Sequence, residues 1–281
     1  MSVSQPNDDP ATDASQAAAE STPFPVLCDL DGVIWLAHQP ITGSADAIAQ
    51  LRARGHRVLF VTNNSASRVA EQEAALAAIG IPAVGDVLTS ANAAAMLVQP
   101  GERVMVCGGP GVVEALSRRG AVPVDVMTAP EADSPGFDVV MVGFHRSFDY
   151  EGMRRASAAV RGGARLIGTN DDATYPTPDG PIPGGGSILA AVATASGVAP
   201  IVAGKPYGPM ADLARAVTGL QDLRRAVMVG DRPDTDGRFA QTLGCRYVHV
   251  WSGVTAAGAE VQPTPWLQGA NLAAVVDQLL A

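Results

Sequence analysis

The chain has 281 residues, 47% of them apolar and 17% charged, with aromatics at only 5%; this describes a globular protein of one large domain or two ordinary ones, cored by small aliphatic side chains. A formal net charge of −9 excludes a protein that tracks a phosphate backbone, because that partner requires clustered Lys and Arg. The scattered Cys28, Cys107 and Cys245 exclude a disulfide framework or a zinc spacing and read as small buried hydrophobes.

Residues 1–22 are rich in Ala, Ser, Asp, Gln and Pro and are expected to form a disordered tail. With neither a basic start nor an apolar centre, they do not read as a secretion signal. An apolar run at 24–28 then reads as a buried strand that ends in Asp29-Leu30-Asp31-Gly32. Side chains alternate along a strand, so Asp29 and Asp31 share one face. Gly32 marks the turn that follows. Taken alone, this stretch also fits a strand end capped by solvated aspartates.

A helix is predicted over 43–55, a second buried strand over 57–61 ending in Thr62-Asn63-Asn64-Ser65, and a helix over 68–79. This alternation predicts a parallel sheet covered by helices. From about 87 to 200 the pattern repeats separately. It has a helix at 90–98, a strand at 103–107 running into Gly108-Gly109-Pro110-Gly111, and a helix at 112–119. Strands at 138–142 and 164–168 then flank a helix at 150–161, and a glycine-rich loop at 180–186 precedes a helix at 188–196. The glycine turn lacks the Gly-x-Gly-x-x-Gly spacing of a dinucleotide site and reads as structural.

The first module resumes with a helix at 209–218 and a strand at 226–230 that ends in Asp231-Arg232-Pro233-Asp234-Thr235-Asp236. A helix to 243, a strand at 246–250 and a helix at 272–280 follow. The expected fold class is α/β: a Rossmann-like, doubly wound parallel core over 23–88 and 200–281, with an inserted α/β cap over 89–199. The uncharged stretch 181–204 is broken by Pro183, Gly184, Gly185, Gly186, Gly197 and Pro200, so it reads as loop and buried helix rather than a membrane span. The expected location is the cytoplasm.

Three predicted core strands end in polar residues, and parallel strands bring their carboxyl ends to one edge. Aspartates gathered there repel one another unless a cation lies between them, and carboxylate oxygens suit Mg²⁺. Thr62 and Asn63 supply neutral donors for phosphate oxygens. Lys205, in Gly204-Lys205-Pro206, is an isolated cation beside a predicted core helix, placed to balance anions. A nucleophile, a metal site, donors and a lysine together describe phosphoryl transfer.

These residues carry a resemblance. Asp29-Leu30-Asp31-Gly32, Val61-Thr62-Asn63-Asn64-Ser65, Gly204-Lys205-Pro206 and Gly230-Asp231-Arg232-Pro233-Asp234-Thr235-Asp236 resemble, in order, the four motifs of haloacid dehalogenase-superfamily phosphatases. The insertion between the second and third resembles the large cap of the NagD and nitrophenylphosphatase-like branch. Thr169-Asn170-Asp171-Asp172 resembles that branch's cap loop, and the residues around Pro176 to Gly180 and Pro183 to Ser187 its return to the core. The resemblance implies that Asp29 is the nucleophile, that Asp31 is the acid and then the base, and that Thr62, Asn63 and Asn64 line the phosphate. It implies that Lys205 orients Asp29, that Asp29, Asp231 and the carbonyl of Asp31 bind Mg²⁺, and that Asp236 stands behind them facing Lys205. Asn170 and Asp171 are the expected substrate-facing cap residues.

The implied activity is a Mg²⁺-dependent phosphatase of small phosphorylated metabolites, working through an aspartyl-phosphate. Glycerol 3-phosphate, phosphoglycolate and sugar phosphates are the expected substrate types. Relatives of this branch often pair through the cap, so a homodimer is an expectation by analogy. A phosphotransferase or mutase of the same superfamily is one alternative. A catalytically silent phosphometabolite-binding protein is another, against which the intact Asp29, Asp31, Lys205 and Asp231 argue. Position 237 departs from the pattern: glycine stands where an apolar residue is usual, an expected loosening of the next helix by up to ~1 kcal/mol.

Overall fold

The computed structural model describes residues 22–36, 39–129, 136–175, 177, 180–256 and 258–281. The expected tail, Thr22 apart, lies outside these described residues, as do His38 and part of the turn after Tyr175. The chain opens with β1 (Val26–Cys28), makes a hairpin of β2 (Trp35–Leu36) and β3 (Gln39–Pro40), and returns through the helix Ser44–Ala53 to β4 (Val58–Thr62). The helix Val69–Ala78 leads to β5 (Val87–Thr89), which passes directly into the helix Ser90–Ala95. Next come β6 (Arg103–Cys107), the helix Pro110–Arg118, β7 (Val122–Asp125), β8 (Val139–Val142), the helix Tyr150–Arg161 and β9 (Arg165–Gly168). A hairpin of β10 (Thr174–Tyr175) and β11 (Ile182–Pro183) precedes the helix Gly185–Ser196 and β12 (Ile201–Val202). The last segment holds the helix Gly208–Thr218, β13 (Val227–Gly230), a π-helical turn (Pro233–Gly237), the helix Arg238–Leu243, β14 (Arg246–Val250), β15 (Leu267–Gly269) and the helix Leu272–Leu279.

The strands form two parallel sheets. One has six strands in the order β15-β14-β13-β1-β4-β5, and the other has five in the order β12-β9-β8-β6-β7. In the first, β1 lies between β13 and β4, with Val26 level with both Val227 and Val58. From β1 the chain winds outward to β4 and β5 on one side, and later to β13, β14 and β15 on the other. The reversal of winding falls between β1 and β13, and open parallel sheets bind ligands at the carboxyl ends beside such a point.

Strand alternation sorts the core. Val26 and Cys28 of β1 join Val58, Phe60, Val227 and Val229 beneath the helices Ser44–Ala53 and Leu272–Leu279. Leu27, Leu59, Val61 and Met228 enter the opposite cluster, which continues through the alanines of Ser90–Ala95 to Val104, Val106, Val139 and Met141 of the second sheet. One apolar cluster therefore spans both sheets, and small side chains on the helix between them permit the close approach. Among the described residues no helix is long and apolar enough to cross a membrane.

Most predicted elements stand within a residue or two of their expected ends. The differences have local causes. The strand Ile201–Val202 pairs with Ile167 and Gly168 in the second sheet, so that sheet closes beyond the expected boundary at 200. The helix begun at Ser90 ends at Ala95 rather than 98. The strand Val122–Asp125 was hidden by Pro123; it lies at the sheet edge, where a missing N–H costs little. The strands Val87–Thr89 and Leu267–Gly269 are three residues each, too short for a periodicity.

Gly237 has a packing role beside the expected loosening of the helix. Its backbone is right-handed helical, at φ −63° and ψ −46°. A Cβ there would lie 2.7 Å from Cδ of Pro263 and 3.1 Å from Cε1 of Tyr247. Absence of a side chain is what admits Pro263. Gly237→Ala is therefore expected to destabilise the protein by about 1–3 kcal/mol through overpacking, although Ala improves helix propensity by about 1 kcal/mol. Urea unfolding of the two proteins measures the sign.

Candidate active site

The site begins at the end of β1. Gly32 has φ +87°, and the N–H groups of Val33, Ile34 and Trp35 all point at the carbonyl of Leu30. This tight coil stops the strand and turns Asp29 and Asp31 onto the carboxyl edge of the sheet. Lys205 arrives from the segment between β12 and the helix Gly208–Thr218. Its Nζ lies 2.7 Å from Oδ1 of Asp29 and 2.7 Å from Oδ1 of Asp236. All three side chains are buried.

Asp236 gets there through the π-helical turn. The N–H of Asp236 donates to the carbonyl of Arg232 at 2.7 Å, and its Oδ2 accepts from the N–H of Arg232 at 3.1 Å. The carboxyl then passes directly over Gly230, where a Cβ would lie 2.2 Å from its Cγ. Burial alone would push Lys205 down; the Asp236 and Asp29 carboxylates outweigh it and hold its pKa above the ordinary lysine value. Burial, with Asp236 and Asp231 adding to it, pushes Asp29 well above the usual carboxylate range, against the pull of Lys205.

Asp231 is wedged between the loop after β1 and the loop after β14. A Cβ on Gly32 would lie 2.5 Å, and one on Gly253 2.3 Å, from its Cγ. Oδ2 accepts from the N–H of Val254 at 2.7 Å, whereas Oδ1 is buried with no hydrogen-bond partner. An orphaned carboxylate oxygen is costly unless a cation meets it. Carboxylate oxygens of Asp29, Asp231 and Asp236 lie within 4.8 Å of one another. Asp236 is already taken by Lys205 and the N–H of Arg232, so Asp29 and Asp231 are the carboxylates that fit a small hard cation. Burial, then Asp236, pushes Asp231 up to about 7.

The end of β4 supplies the opposite wall. Thr62 is buried, its Oγ1 accepting from the N–H of Asn64 at 3.0 Å. The Asn63 side chain does not reach into open space. Its Oδ1 accepts from the N–H of Lys205 at 2.8 Å, and its Nδ2 donates to the Lys205 carbonyl at 3.0 Å and to Oδ2 of Asp172 at 3.0 Å. It thus clamps the lysine backbone on both sides. Asn64 turns its Oδ1 to the N–H of Ala66 at 3.0 Å.

The inserted module closes the cleft from above. Asn170 donates from Nδ2 to the Asn63 carbonyl at 2.8 Å, tying this loop to the core. Asp172 pairs with Arg232 across the cleft at 3.8 Å. Asp171, an expected substrate residue, is placed elsewhere: it is exposed, does not line the cleft and accepts a hydrogen bond from the Tyr207 hydroxyl, which pushes Tyr207 up to about 12. Asp234 faces solvent. The Gly108 to Gly111 turn lies on the core, with the N–H of Gly111 donating to the Ala66 carbonyl at 2.9 Å.

The cleft between the two sheets has a volume of about 570 Å³. Asp29, Asp31, Thr62, Lys205 and Asp231 lie at its floor, and Tyr175, Thr174 and Asp172 line its upper wall. Phe144 stacks on Tyr175, with ring centroids 5.0 Å apart. Sequence reading missed Arg232, Tyr207, Tyr175 and Phe144. Arg232 stands inside a recognised motif and Tyr207 directly follows one, and that placement was the available signal; Tyr175 and Phe144 had none.

The family model described as haloacid dehalogenase-like hydrolase matches residues 26–121, and one described as HAD-hydrolase-like matches residues 202–280. D-glycerol 3-phosphate phosphatase of Mycobacterium tuberculosis is 37% identical over 85% of this chain, which spans only 66% of that protein's length. Acid sugar phosphatase of Staphylococcus saprophyticus is 35% identical over 82% of this chain and 86% of its own. Among solved structures, a hypothetical protein from Pyrococcus horikoshii superposes with a TM-score of 0.83 at 32% identity, covering 91% of this chain and 99% of that one. The glycerol phosphate phosphatase of Mycobacterium tuberculosis in complex with magnesium superposes with a TM-score of 0.78 at 34% identity, covering 90% and 76%.

The orphaned oxygen generates a prediction about the metal-free protein. Asp231 titrates near 7 when folded and near ~3.9 when unfolded. A carboxyl raised in this way favours the folded state below its unfolded value and ceases to do so as the pH rises through its folded value. In chelator at pH 8, Asp231→Asn is therefore expected to unfold at higher urea than the parent, by about 1–3 kcal/mol. The gap should close as the pH falls towards 5. Equal midpoints at pH 8 would remove the orphaned charge as a cost.

Proposed function

The chain belongs to the haloacid dehalogenase-like hydrolases, and from that membership we propose that it is a Mg²⁺-dependent phosphatase of small organic phosphate monoesters. The observation that carries this reading is the buried Asp29 held 2.7 Å from Lys205 on a cleft floor shared with Asp31 and the partnerless oxygen of Asp231. A carboxylate set against a lysine and open to a cleft can act as a nucleophile.

A carboxylate oxygen of Asp29 attacks phosphorus as the bond from phosphorus to the ester oxygen breaks. Asp31 passes its carboxyl proton to that departing oxygen. A water then attacks the phosphorus, Asp31 takes the water's proton, and the bond from phosphorus to Asp29 breaks to release phosphate. The Thr62 hydroxyl and the backbone N–H of Asn63 hold the phosphoryl oxygens through the transfer. Lys205 favours the ionised form of Asp29 against the burial that opposes it. Asp29, Asp231 and the backbone carbonyl of Asp31 would hold the Mg²⁺, which when bound spreads the charge of the phosphoryl oxygens.

The leaving-group end of the cleft favours a neutral, hydroxylated group. Thr174, Thr177 and Tyr175 offer hydroxyl groups there, while Asp31 and Asp172 oppose an added carboxylate. Arg232 is engaged by Asp172 at 3.8 Å and Asp234 at 4.0 Å. Glycerol 3-phosphate and sugar phosphates suit this wall better than phosphoglycolate. The relatives named for glycerol 3-phosphate and acid sugars support the same direction.

Purified protein with Mg²⁺ is expected to release phosphate from glycerol 3-phosphate with kcat/KM at least about tenfold above that for phosphoglycolate, the discrimination worth one unmatched charge. Excess EDTA should abolish release, and Asp29→Asn should lower kcat by at least about a thousandfold. A phosphate-release panel over monoesters checks all three. Silence across the panel, or an unimpaired Asp29→Asn, would sink the reading.

A further inference from the structure

Asp31 has to present a proton to the ester oxygen, so the orientation of its carboxyl matters as much as its place. Its residue is only half-buried, at the turn that ends β1. The indole Nε1–H of Trp35 donates to Oδ1 of Asp31 at 3.1 Å. Trp35 itself is 2% exposed and packed in the apolar cluster with Leu30, Val33 and Ile34. Its backbone is fixed on both sides: the N–H donates to Leu30 at 3.2 Å, and the carbonyl accepts from Gly32 at 2.7 Å. Trp35 also pairs with Pro40 in the hairpin that follows, and the preceding carbonyl of Ile34 accepts from the Ser44 hydroxyl at 3.1 Å. The indole has no route to the cleft, whose lining includes Asp31 and Leu36 but not Trp35.

We propose that Trp35 is a positioning residue for the general acid, its indole N–H fixing the plane of the Asp31 carboxyl so that the proton is aimed at the ester oxygen. The assignment rests on the phosphatase reading above. A buried indole N–H needs an acceptor, and the one that meets it here is the carboxylate that moves protons. A donor on a rigid, buried ring restrains a carboxyl without entering the substrate's space, and orientation of this kind carries a large share of proton-transfer efficiency.

Leaving groups separate this role from packing. In the first step the bond from phosphorus to the ester oxygen breaks while Asp29 bonds to phosphorus. Glycerol leaves only with the proton of Asp31, whereas p-nitrophenolate is stable enough to leave without it. The value of kcat/KM reports that first transfer. In the holoenzyme with Mg²⁺, Trp35→Phe keeps the ring and removes the N–H. Its kcat/KM for glycerol 3-phosphate is expected to fall at least about tenfold, while that for p-nitrophenyl phosphate stays within about threefold. The kcat for p-nitrophenyl phosphate falls with a burst of p-nitrophenol, because Asp31 must also accept the proton of water in the second step.

Parallel losses of kcat/KM on both esters, or no loss on either, overturn the assignment and leave Trp35 as packing. A parent enzyme silent on both esters overturns the phosphatase reading and this assignment with it. If thermal unfolding shows that Trp35→Phe does not fold, the benzothienyl isostere at position 35, which fills the same volume without an N–H, is judged by the same ratio.

Discussion

An ammonium group with 2% of its side chain exposed stays charged only where carboxylates replace the water it has lost. Lys205 meets that condition twice, in Asp29 and in Asp236, each at 2.7 Å. The two carboxylates are not equivalent. Asp236 is fully buried and tied to the backbone of Arg232, so it acts as a fixed counter-charge. Asp29 opens onto the cleft, so the charge that Lys205 stabilises there is available for chemistry. Such a pair adds little to stability beyond its desolvation cost; its value lies in opposing the burial that favours the neutral form of Asp29.

The remaining contacts serve that arrangement. Gly230 lets Asp236 cross the end of β13, and the π-helical turn swings it inward. Asn63 grips the backbone of Lys205 from both sides and extends a third hydrogen bond to Asp172 in the inserted module. The same amide therefore bonds both the lysine backbone and the roof of the cleft. Asn170 reinforces the link through the Asn63 carbonyl, and Tyr207, two residues beyond Lys205, reaches Asp171. Placement of the roof and placement of the lysine are coupled over a few residues, which suits a site that closes on its substrate.

Much of the site was legible in the chain because its signals are local. Two aspartates at the end of an apolar run, a glycine after them, and polar endings on two further strands placed Asp29, Asp31, Thr62 and Asp231 on one edge once a parallel sheet was inferred. Lys205 stood out as a lone cation in an uncharged stretch. The cap loop was a different case. Asn170 and Asp171 carry the residue types of a substrate contact, but one donates to Asn63 and the other accepts from Tyr207. Hydrogen-bonding capacity is written in a side chain, and the identity of its partner is not. Gly237 makes the same point about packing: a weak helix start by propensity, it is the gap that admits Pro263, met from 26 positions further on.

The sequence by itself determined the class of the fold, the chain order of its main alternating elements and most of the catalytic inventory on the floor of the site. Those follow from periodicity, from strand-end residues and from motif order, all of which are properties of neighbours along the chain. Only the tertiary structure decided which polar groups were spent on holding the site and which were left to act in it. It gave Asn63 to the lysine backbone and the indole N–H of Trp35 to Asp31. It also left one oxygen of Asp231 buried without a partner. A hydrogen bond is satisfied over about 3 Å of space irrespective of distance along the chain, so that division is settled only when the segments meet.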